Sequence, residues 1–314
     1  MTTSAARESA LEVRGAVRRL GARNVLAGVS LDVAAGGLVV LAGVNGAGKS
    51  SLLRAIGGRL ALEAGTIHIA GLDAGAARRA GRLGVVPQDV ALDPHLSVRD
   101  NLRLWGTLAG VPGGTIDARI TDGLARAGLA DRGHARVETL SGGMRRRLNL
   151  LAGVLHGPGL LLLDEPTVGL DRESRARVYT LLDALRRDGA GVLLVTHDLD
   201  EAATSADRVV VLHEGRVVAD EPPAALVAAH CPSGGAIVVV PDDGADVTPL
   251  TMDGFSQALD GQWQRPEGAT PTDLRALDGR LRAAGVRVRE VRWQPPSVSG
   301  AVAAVVAWAS GGRA

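Results

Sequence analysis

The chain has 314 residues, 46% of them hydrophobic and only 2% aromatic, so a folded protein with aliphatic cores and no stacked aromatic cofactor site is expected. Its 35 basic and 34 acidic side chains nearly cancel, which predicts no general attraction to nucleic acid or anionic lipid. A single cysteine, Cys231, cannot form an internal disulfide, and the first ten residues lack the apolar core of a secretion signal. Since its apolar stretches are also too short to span a bilayer, we expect a cytoplasmic protein with no nucleic-acid partner.

The first two-thirds of the chain carries an α/β pattern. Residues 11–45 alternate short Val- and Leu-rich runs with glycine turns and end in GGLVVLAGV, which predicts a buried strand. The segment SLLRAIGGRL, residues 51–60, has helical spacing, and residues 99–110 and 115–128 predict an inserted helical segment. The compact apolar runs 160–163 and 191–196 are typical of central strands in a parallel sheet covered on both faces.

The composition changes beyond residue 220. Proline and glycine cluster around one short helical stretch, residues 224–229, and indicate a linker over 221–235. The remaining residues, 236–314, predict a small α+β module. Its expected elements are a strand at 236–241, a polar loop, a helix at 272–284, a strand at 286–293 and an apolar helix at 298–309.

A glycine-rich loop lies between the predicted buried strand and the first predicted helix. Its residues fit G-x-x-x-x-G-K-[ST] in the strand–loop–helix context that this phosphate-binding motif requires, with Ser51 following: Gly43, Val44, Asn45, Gly46, Ala47, Gly48, Lys49 and Ser50. In such a loop the backbone N–H groups face phosphate oxygens, the lysine reaches the β- and γ-phosphates, and the hydroxyl binds Mg²⁺. Of the 35 basic residues 34 are arginine, so the only lysine, Lys49, indicates a need for a compact ammonium charge.

Two carboxylates follow the apolar run at 160–163. With a phosphate loop in the same chain, this arrangement predicts Asp164 as a Mg²⁺ ligand. Glu165 is then either the general base or the group that orients the attacking water.

Together these segments resemble the ATP-binding cassette family over about residues 10–220. Leu140-Ser141-Gly142-Gly143 is similar to the family signature, which implies that the serine and glycines contact the γ-phosphate bound by a second subunit. Gln88 resembles the glutamine of the loop that couples the Mg²⁺ site to the membrane partner. His197 resembles the switch histidine that contacts the γ-phosphate, and Asp171 matches the loop between the two sites.

The resemblance implies a P-loop cassette over residues 1–220, with a mostly parallel sheet, an N-terminal antiparallel β subdomain and a helical insertion at about 89–155. Glu165, His197 and Gln88 are its expected catalytic residues, and Ser50, Gln88 and Asp164 its expected metal ligands. ATP and Mg²⁺ are the implied cofactors. The implied partners are a second cassette, as a homodimer, and an integral membrane permease that holds the protein at the cytoplasmic face.

Three positions depart from the family pattern. Met144 stands where glutamine is common, and Ser51 replaces the usual threonine but keeps the hydroxyl. Leu20 occupies the place where many members carry an aromatic residue against adenine, which predicts weak base selectivity. The run Arg145–Arg147 is interpreted as solvated helix residues that form ion pairs.

The residues 96–105 and 141–171 most resemble bacterial exporter subunits for drugs, haem or polysaccharides. An importer subunit and a soluble ATPase associated with nucleic acid or ribosomes remain alternatives. The C-terminal module is interpreted as a dimer-stabilising appendage, with a ligand-binding regulatory domain as the alternative.

Overall fold

A computed structural model describes residues 8–86, 92–231, 235–257, 262–267 and 274–311. The chain forms two compact units. The first contains most of the chain up to residue 196 together with 214–216. The second contains most of the chain from residue 197 onward together with 42–47. Within the described ranges, no helix is both long and apolar enough to cross a bilayer.

The first unit holds eight of the described strands and six of the described helices. The strands, in chain order, are β1 (Ser9–Leu20), β2 (Arg23–Ala34), β3 (Leu38–Ala42), β4 (Ala64–Ile69), β5 (Leu72–Asp73), β6 (Leu83–Val86), β7 (Leu160–Asp164) and β8 (Gly191–Val195). The helices are α1 (Lys49–Ile56), α2 (Ala74–Arg79), α3 (Val98–Leu108), α4 (Gly113–Arg126), α5 (Gly142–Val154) and α6 (Arg172–Arg187), with 3₁₀ turns at Ala130–Arg132 and Val137–Thr139.

The first unit has two sheets of different character. An antiparallel sheet has the order β2-β1-β4-β5, and alternate residues such as Leu11 and Val13 are buried on one face. Strands β3, β8, β7 and β6 lie side by side in a parallel sheet. Because every residue of β3 and β8 is buried, these strands are continuous apolar runs, as expected when both faces of a sheet are covered. The predicted parallel core and antiparallel subdomain are therefore confirmed.

The parallel arrangement brings the carboxyl ends of β7 and β8 to one edge of the sheet, where Asp164 pairs with Val195. The inserted helical segment is also confirmed, since α3, α4 and α5 follow one another between β6 and β7. Helix α1 runs from residue 49 to 56 rather than from 51 to 60, because two glycines end it and Gly58 has a φ of +66°.

The second unit carries the remaining described elements. In chain order they are α7 (Leu199–Ala203), β9 (Arg208–His213), β10 (Arg216–Glu221), α8 (Pro223–His230), β11 (Gly235–Pro241), α9 (Thr248–Met252), β12 (Ser256–Gln257), β13 (Trp263–Glu267), α10 (Leu274–Ala283), β14 (Val288–Gln294) and α11 (Val298–Gly311).

A second antiparallel sheet, of order β12-β13-β11-β14, lies in this unit. Its buried core includes Ile237, Val239, Leu277 and Leu281. The predicted strand at 236–241 is found there as β11, and the predicted helix at 272–284 is found as α10 over Leu274–Ala283, with 272 and 273 outside the described residues. The polar loop predicted between them was wrong in part, because it contains α9, β12 and β13. Leu250 of α9 and Phe255 are buried in the same core, so this stretch packs against the sheet instead of forming a solvated loop.

The last helix, α11, makes its main contacts with α7, α8 and β9. Its apolar residues Val302 and Val305 are buried. Two polar contacts hold its ends: the Ser299 N–H donates to Asp200 Oδ1 at 3.2 Å, and Ser310 Oγ lies 3.2 Å from His213 Nε2. The end of the described chain is thus packed onto the residues that directly follow β8.

Candidate active site

The loop after β3 needs glycine at three of its positions. Gly43, Gly46 and Gly48 have φ angles of +144°, +78° and +114°, a region that residues with a Cβ rarely adopt. A Cβ on Gly43 would lie 2.2 Å from the carbonyl oxygen of Leu212. The Ala47 N–H donates to the Val44 carbonyl at 3.1 Å and closes the turn. This glycine-dependent turn is the local geometry that a phosphate-cradling loop requires.

Helix α1 begins directly after this loop. Its N-cap is Gly48, which has no side chain and so makes no side-chain cap bond to the first-turn N–H groups. The first turn of α1, at the positive end of the helix dipole, therefore follows the loop directly. Its N-cap residue supplies no carboxylate or hydroxyl to cap it. Ser50 in the first turn is exposed and Ser51 is half-buried. Such a helix start favours the binding of an anion.

The structure brings three predicted site residues together in the first unit: Lys49, Asp164 and Glu165. Burial lowers the pKa of the Lys49 ammonium below its ordinary value, while the negative charges of Glu165 and then Asp164 act to raise it. Both carboxylates are therefore close enough to act on this cation. This cluster places the only lysine of the chain beside the acids that end β7.

The chain turns sharply where β7 ends. Asp164 is half-buried, whereas the Glu165 residue is only 6% exposed. Glu165 has a φ of +50°, which is unusual for a residue that carries a Cβ, and its N–H donates to the Val195 carbonyl at 2.9 Å. Strained backbone of this kind is concentrated at functional sites, because the surrounding structure must hold it.

The oxygen donors at this edge fit a magnesium ion that arrives with phosphates. Ser50 offers a hydroxyl and Asp164 a carboxylate, both hard ligands of the kind Mg²⁺ prefers. Within the described residues, no three His, Cys, Asp or Glu side chains form a metal-binding group. Mg²⁺ usually takes one or two protein oxygens and completes its shell with substrate phosphates and water. The third predicted ligand, Gln88, lies outside the described residues.

The predicted signature residues lie at the start of α5. Ser141 is the N-cap, and its Oγ accepts a hydrogen bond from the Met144 N–H at 3.3 Å. Ser141 and Gly142 are exposed, and a Cβ on Gly142 would meet no atom within 4 Å. Gly143, in contrast, is buried, and a Cβ there would lie 2.2 Å from Ser174 Oγ. The first two residues are therefore open to a ligand, whereas Gly143 packs against α6.

Two further predicted residues lie where strands lead into helices. Asp171 caps α6: its Oδ1 accepts from the Ser174 N–H at 2.8 Å and its Oδ2 from the Ser174 hydroxyl at 3.1 Å. The Ser174 N–H is the main cause that lowers the pKa of this exposed carboxyl. His197 is an exposed residue between β8 and α7 and belongs to the second unit.

The interpretation of Arg145–Arg147 as a solvated run was wrong for two of its members. Arg146 and Arg147 are only 6% and 5% exposed, and Arg145 alone is exposed. Arg147 donates to the carbonyls of Ala127 and Gly128 at the end of α4. Arg146 donates to carbonyls of residues 164–166, next to the two carboxylates. Buried guanidinium groups of this kind are stable because backbone carbonyls accept their N–H groups.

The apolar residues that follow these arginines could have revealed their burial. Every position of α5 from Arg146 to Ala152 is buried, so this part of the helix is covered on several sides and not on one face only. A helix that is apolar on several sides predicts that its arginines are covered as well. Their charge had suggested the opposite.

Comparison with known proteins decides the family. Residues 26–168 match the family model described as "ABC transporter". The chain is 38% identical over 301 residues to the daunorubicin resistance ATP-binding protein DrrA3 of Streptomyces coeruleorubidus, covering 93% of this chain and 94% of the relative. The chain belongs to the ABC transporter family.

Other members of the family agree with this assignment. The chain is 39% identical to the Nod factor export ATP-binding protein I of Paraburkholderia xenovorans, over 71% of this chain and 74% of that protein. A solved structure described as the ATP-binding subunit of an ABC transporter superposes with a TM-score of 0.63 at 30% identity, covering 70% of this chain and 92% of the other. The protein is therefore the ATP-binding, ATP-hydrolysing subunit of an ABC transporter. ABC subunits of this kind dimerise and act with membrane permease components.

Proposed function

We propose that this ABC subunit drives export from the cytoplasmic face of the membrane, as a homodimer with Mg²⁺ and ATP between the two copies. In this proposal the loop 43–48, Lys49, Ser50 and Ser51 of one copy hold the phosphates. Ser141, Gly142 and Gly143 of the second copy complete the site. The observation that carries the proposal is the exposure of Ser141 and Gly142 at an open helix start, because an exposed N-terminus of α5 can receive a phosphate from another molecule.

The proposed hydrolysis needs a base or an orienting group for water. Glu165 is suited to this role, since it is buried beside Lys49 and ends β7. Ser50 and Asp164 would hold Mg²⁺, which neutralises the charge that develops on the phosphate oxygens. Glu165 would then either accept a proton from the attacking water or orient that water, while the Lys49 ammonium would bind the phosphate oxygens.

The remaining predicted residues are assigned by likeness to the family. We propose that His197 contacts the γ-phosphate and that Gln88 links the Mg²⁺ site to the permease. Asp171 would connect the two sites of the dimer. Its cap bonds to Ser174 support this role, because Ser174 also packs against Gly143 of the signature turn.

Export is favoured over import because two matches that cover 90% or more of this chain are to daunorubicin resistance proteins. The match to the daunorubicin resistance protein spans 301 residues and so extends well beyond the cassette into the C-terminal segment. The match to the aliphatic sulfonates import protein SsuB of Cupriavidus necator is 42% identical but spans only 214 residues. We infer that the C-terminal segment is shared with resistance-type exporters and that the cargo is an organic small molecule.

The export proposal is tested by expressing the chain together with a membrane permease that co-purifies with it and measuring drug accumulation in cells. We expect ATP-dependent efflux of at least one organic small molecule, which stops in a Glu165→Gln strain. Accumulation that rises with ATP hydrolysis would show import instead.

A pair of glycine substitutions separates the dimer contact from the fold. Gly142→Ala should leave the melting temperature of the nucleotide-free protein unchanged or higher, because the site is open and alanine favours a helix by about 0.5–1 kcal/mol. It should nevertheless weaken ATP-induced dimerisation, since the methyl group would meet the phosphate. Gly143→Ala should instead destabilise the monomer by about 1–3 kcal/mol, because its methyl group overlaps Ser174. Thermal unfolding and light scattering with ATP measure the two effects, and equal unfolding temperatures for both variants would contradict the assignment.

Leu20 supports weak recognition of the base. It lies at the end of β1 with 46% of its surface exposed, so an aliphatic side chain is presented where many members stack an aromatic ring on adenine. We expect similar ATP and GTP affinities. Leu20→Tyr should tighten ATP binding by roughly 1–3 kcal/mol, the usual value of one base-stacking contact. Calorimetric titration checks this, and a wild-type protein that binds only ATP would contradict it.

A further inference from the structure

Arg146 binds the chain segment that carries the proposed base. Its Nε donates to the carbonyl oxygen of Pro166 at 2.7 Å, and its Nη2 donates to those of Glu165 and Asp164 at 2.7 and 3.3 Å. One planar guanidinium thus holds three consecutive carbonyls. Since the group is almost fully buried, these bonds form in a region with little competing water.

The segment held in this way has an unusual conformation. Glu165 has a φ of +50°, which is uncommon for a residue that carries a Cβ. The Glu165 N–H donates to the Val195 carbonyl at 2.9 Å, and the Glu165 carbonyl accepts a hydrogen bond from Arg146 Nη2. The backbone of this residue is therefore fixed at both of its polar groups. This backbone fixes where the Glu165 side chain begins and restricts the rotamers open to it.

We propose that Arg146 is a positioning residue that sets the orientation of Glu165 for ATP hydrolysis. The inference rests on the proposed role of Glu165 and adds a residue that acts only through it. Arg146 lies five residues after Ser141, on the helix that Ser141 caps, so α5 both presents the open signature turn and holds the proposed base of its own subunit. A phosphate of the second copy that engages Ser141 would thereby act on a helix that is bonded directly to Glu165.

The chain offers two matched controls. Arg147 is equally buried but donates to the carbonyls of Ala127 and Gly128, which lie at the end of α4 rather than at the base. Arg145 is an exposed neighbour on the same helix. Loss of Arg147 measures the cost of removing a buried guanidinium, and loss of Arg145 measures the cost of removing a charge from the start of α5.

The test compares Arg146→Gln, Arg146→Lys, Arg147→Gln and Arg145→Gln in the full chain. We expect Arg146→Gln to lower kcat at least tenfold, with an ATP dissociation constant within about twofold of wild type. Arg147→Gln should lower the melting temperature about as much as Arg146→Gln does, because both remove a buried guanidinium, but it should keep most of the kcat. Arg145→Gln should change neither the melting temperature nor the kcat strongly. Arg146→Lys should fold and recover only part of the rate, since a single ammonium cannot serve three carbonyls as the guanidinium fork does.

The double variant Arg146→Gln/Glu165→Gln is decisive. If Arg146 acts only through Glu165, the double variant hydrolyses ATP no more slowly than Glu165→Gln alone. A further slowing by the full factor of the single variant would overturn the inference, as would normal kcat in folded Arg146→Gln or Arg146→Lys. Wild-type protein without Mg²⁺-dependent ATP hydrolysis would instead contradict the proposed function itself.

Discussion

Glu165→Gln is expected to slow turnover at least a hundredfold while it leaves ATP binding intact. Glutamine has the same shape but cannot accept a proton, and loss of a general base typically slows a reaction about 10²–10⁴-fold. The backbone bonds to Arg146 and Val195 do not involve the side chain, so the substituted protein should fold as the wild type does. Because ATP then stays in place, the two copies should remain joined in the presence of ATP and Mg²⁺.

Size-exclusion chromatography with multi-angle light scattering measures this result. We expect a stable dimer of Glu165→Gln with ATP and a monomer without it. Glu173→Gln is the control, because Glu173 is an exposed acid that pairs with Arg177. This variant should hydrolyse ATP at the wild-type rate. A Glu165→Gln protein that remains monomeric under saturating ATP would refute the dimer site.

Lys49→Ala is expected to remove most of the nucleotide affinity. Lys49 is the half-buried cation beside Asp164 and Glu165, and it begins the helix that we propose receives the phosphates. A hydrogen bond to a charged group contributes about 1.5–3 kcal/mol, so the dissociation constant should rise roughly ten- to a hundredfold. Without the ammonium, the two carboxylates would also repel the triphosphate.

Two variants sharpen this test. Lys49→Arg keeps the positive charge in a chain whose other basic residues are all arginine, yet it should still bind ATP weakly, because a planar guanidinium cannot replace a compact ammonium in the loop. Arg54→Ala removes an exposed cation from the last turn of α1 and should leave binding unchanged. Calorimetric titration with ATP and Mg²⁺ checks all three, and wild-type affinity in Lys49→Ala would contradict the site.

Local pattern predicted the features of this chain that depend on consecutive residues. The glycine spacing of 43–48 predicted a phosphate loop, and the angles at Gly43, Gly46 and Gly48 are those that only glycine adopts readily. The apolar runs at 160–163 and 191–196 predicted central strands, because a strand covered on both faces must be apolar throughout. The roles predicted for Asp164 and Glu165 were based on their position at the end of such a strand.

Contacts between distant segments were decided by the tertiary structure. The burial of Arg146 and Arg147 depends on carbonyls 18–20 residues away along the chain, so their charge alone suggested a solvated face. The packing of α11 on α7 and β9 is likewise a long-range contact that its own apolar composition did not specify. Local sterics and periodicity let the sequence determine where a loop or a strand end forms and which side chains it carries. Which carbonyl a buried cation meets is determined only when remote segments pack together, because that partner lies elsewhere in the chain.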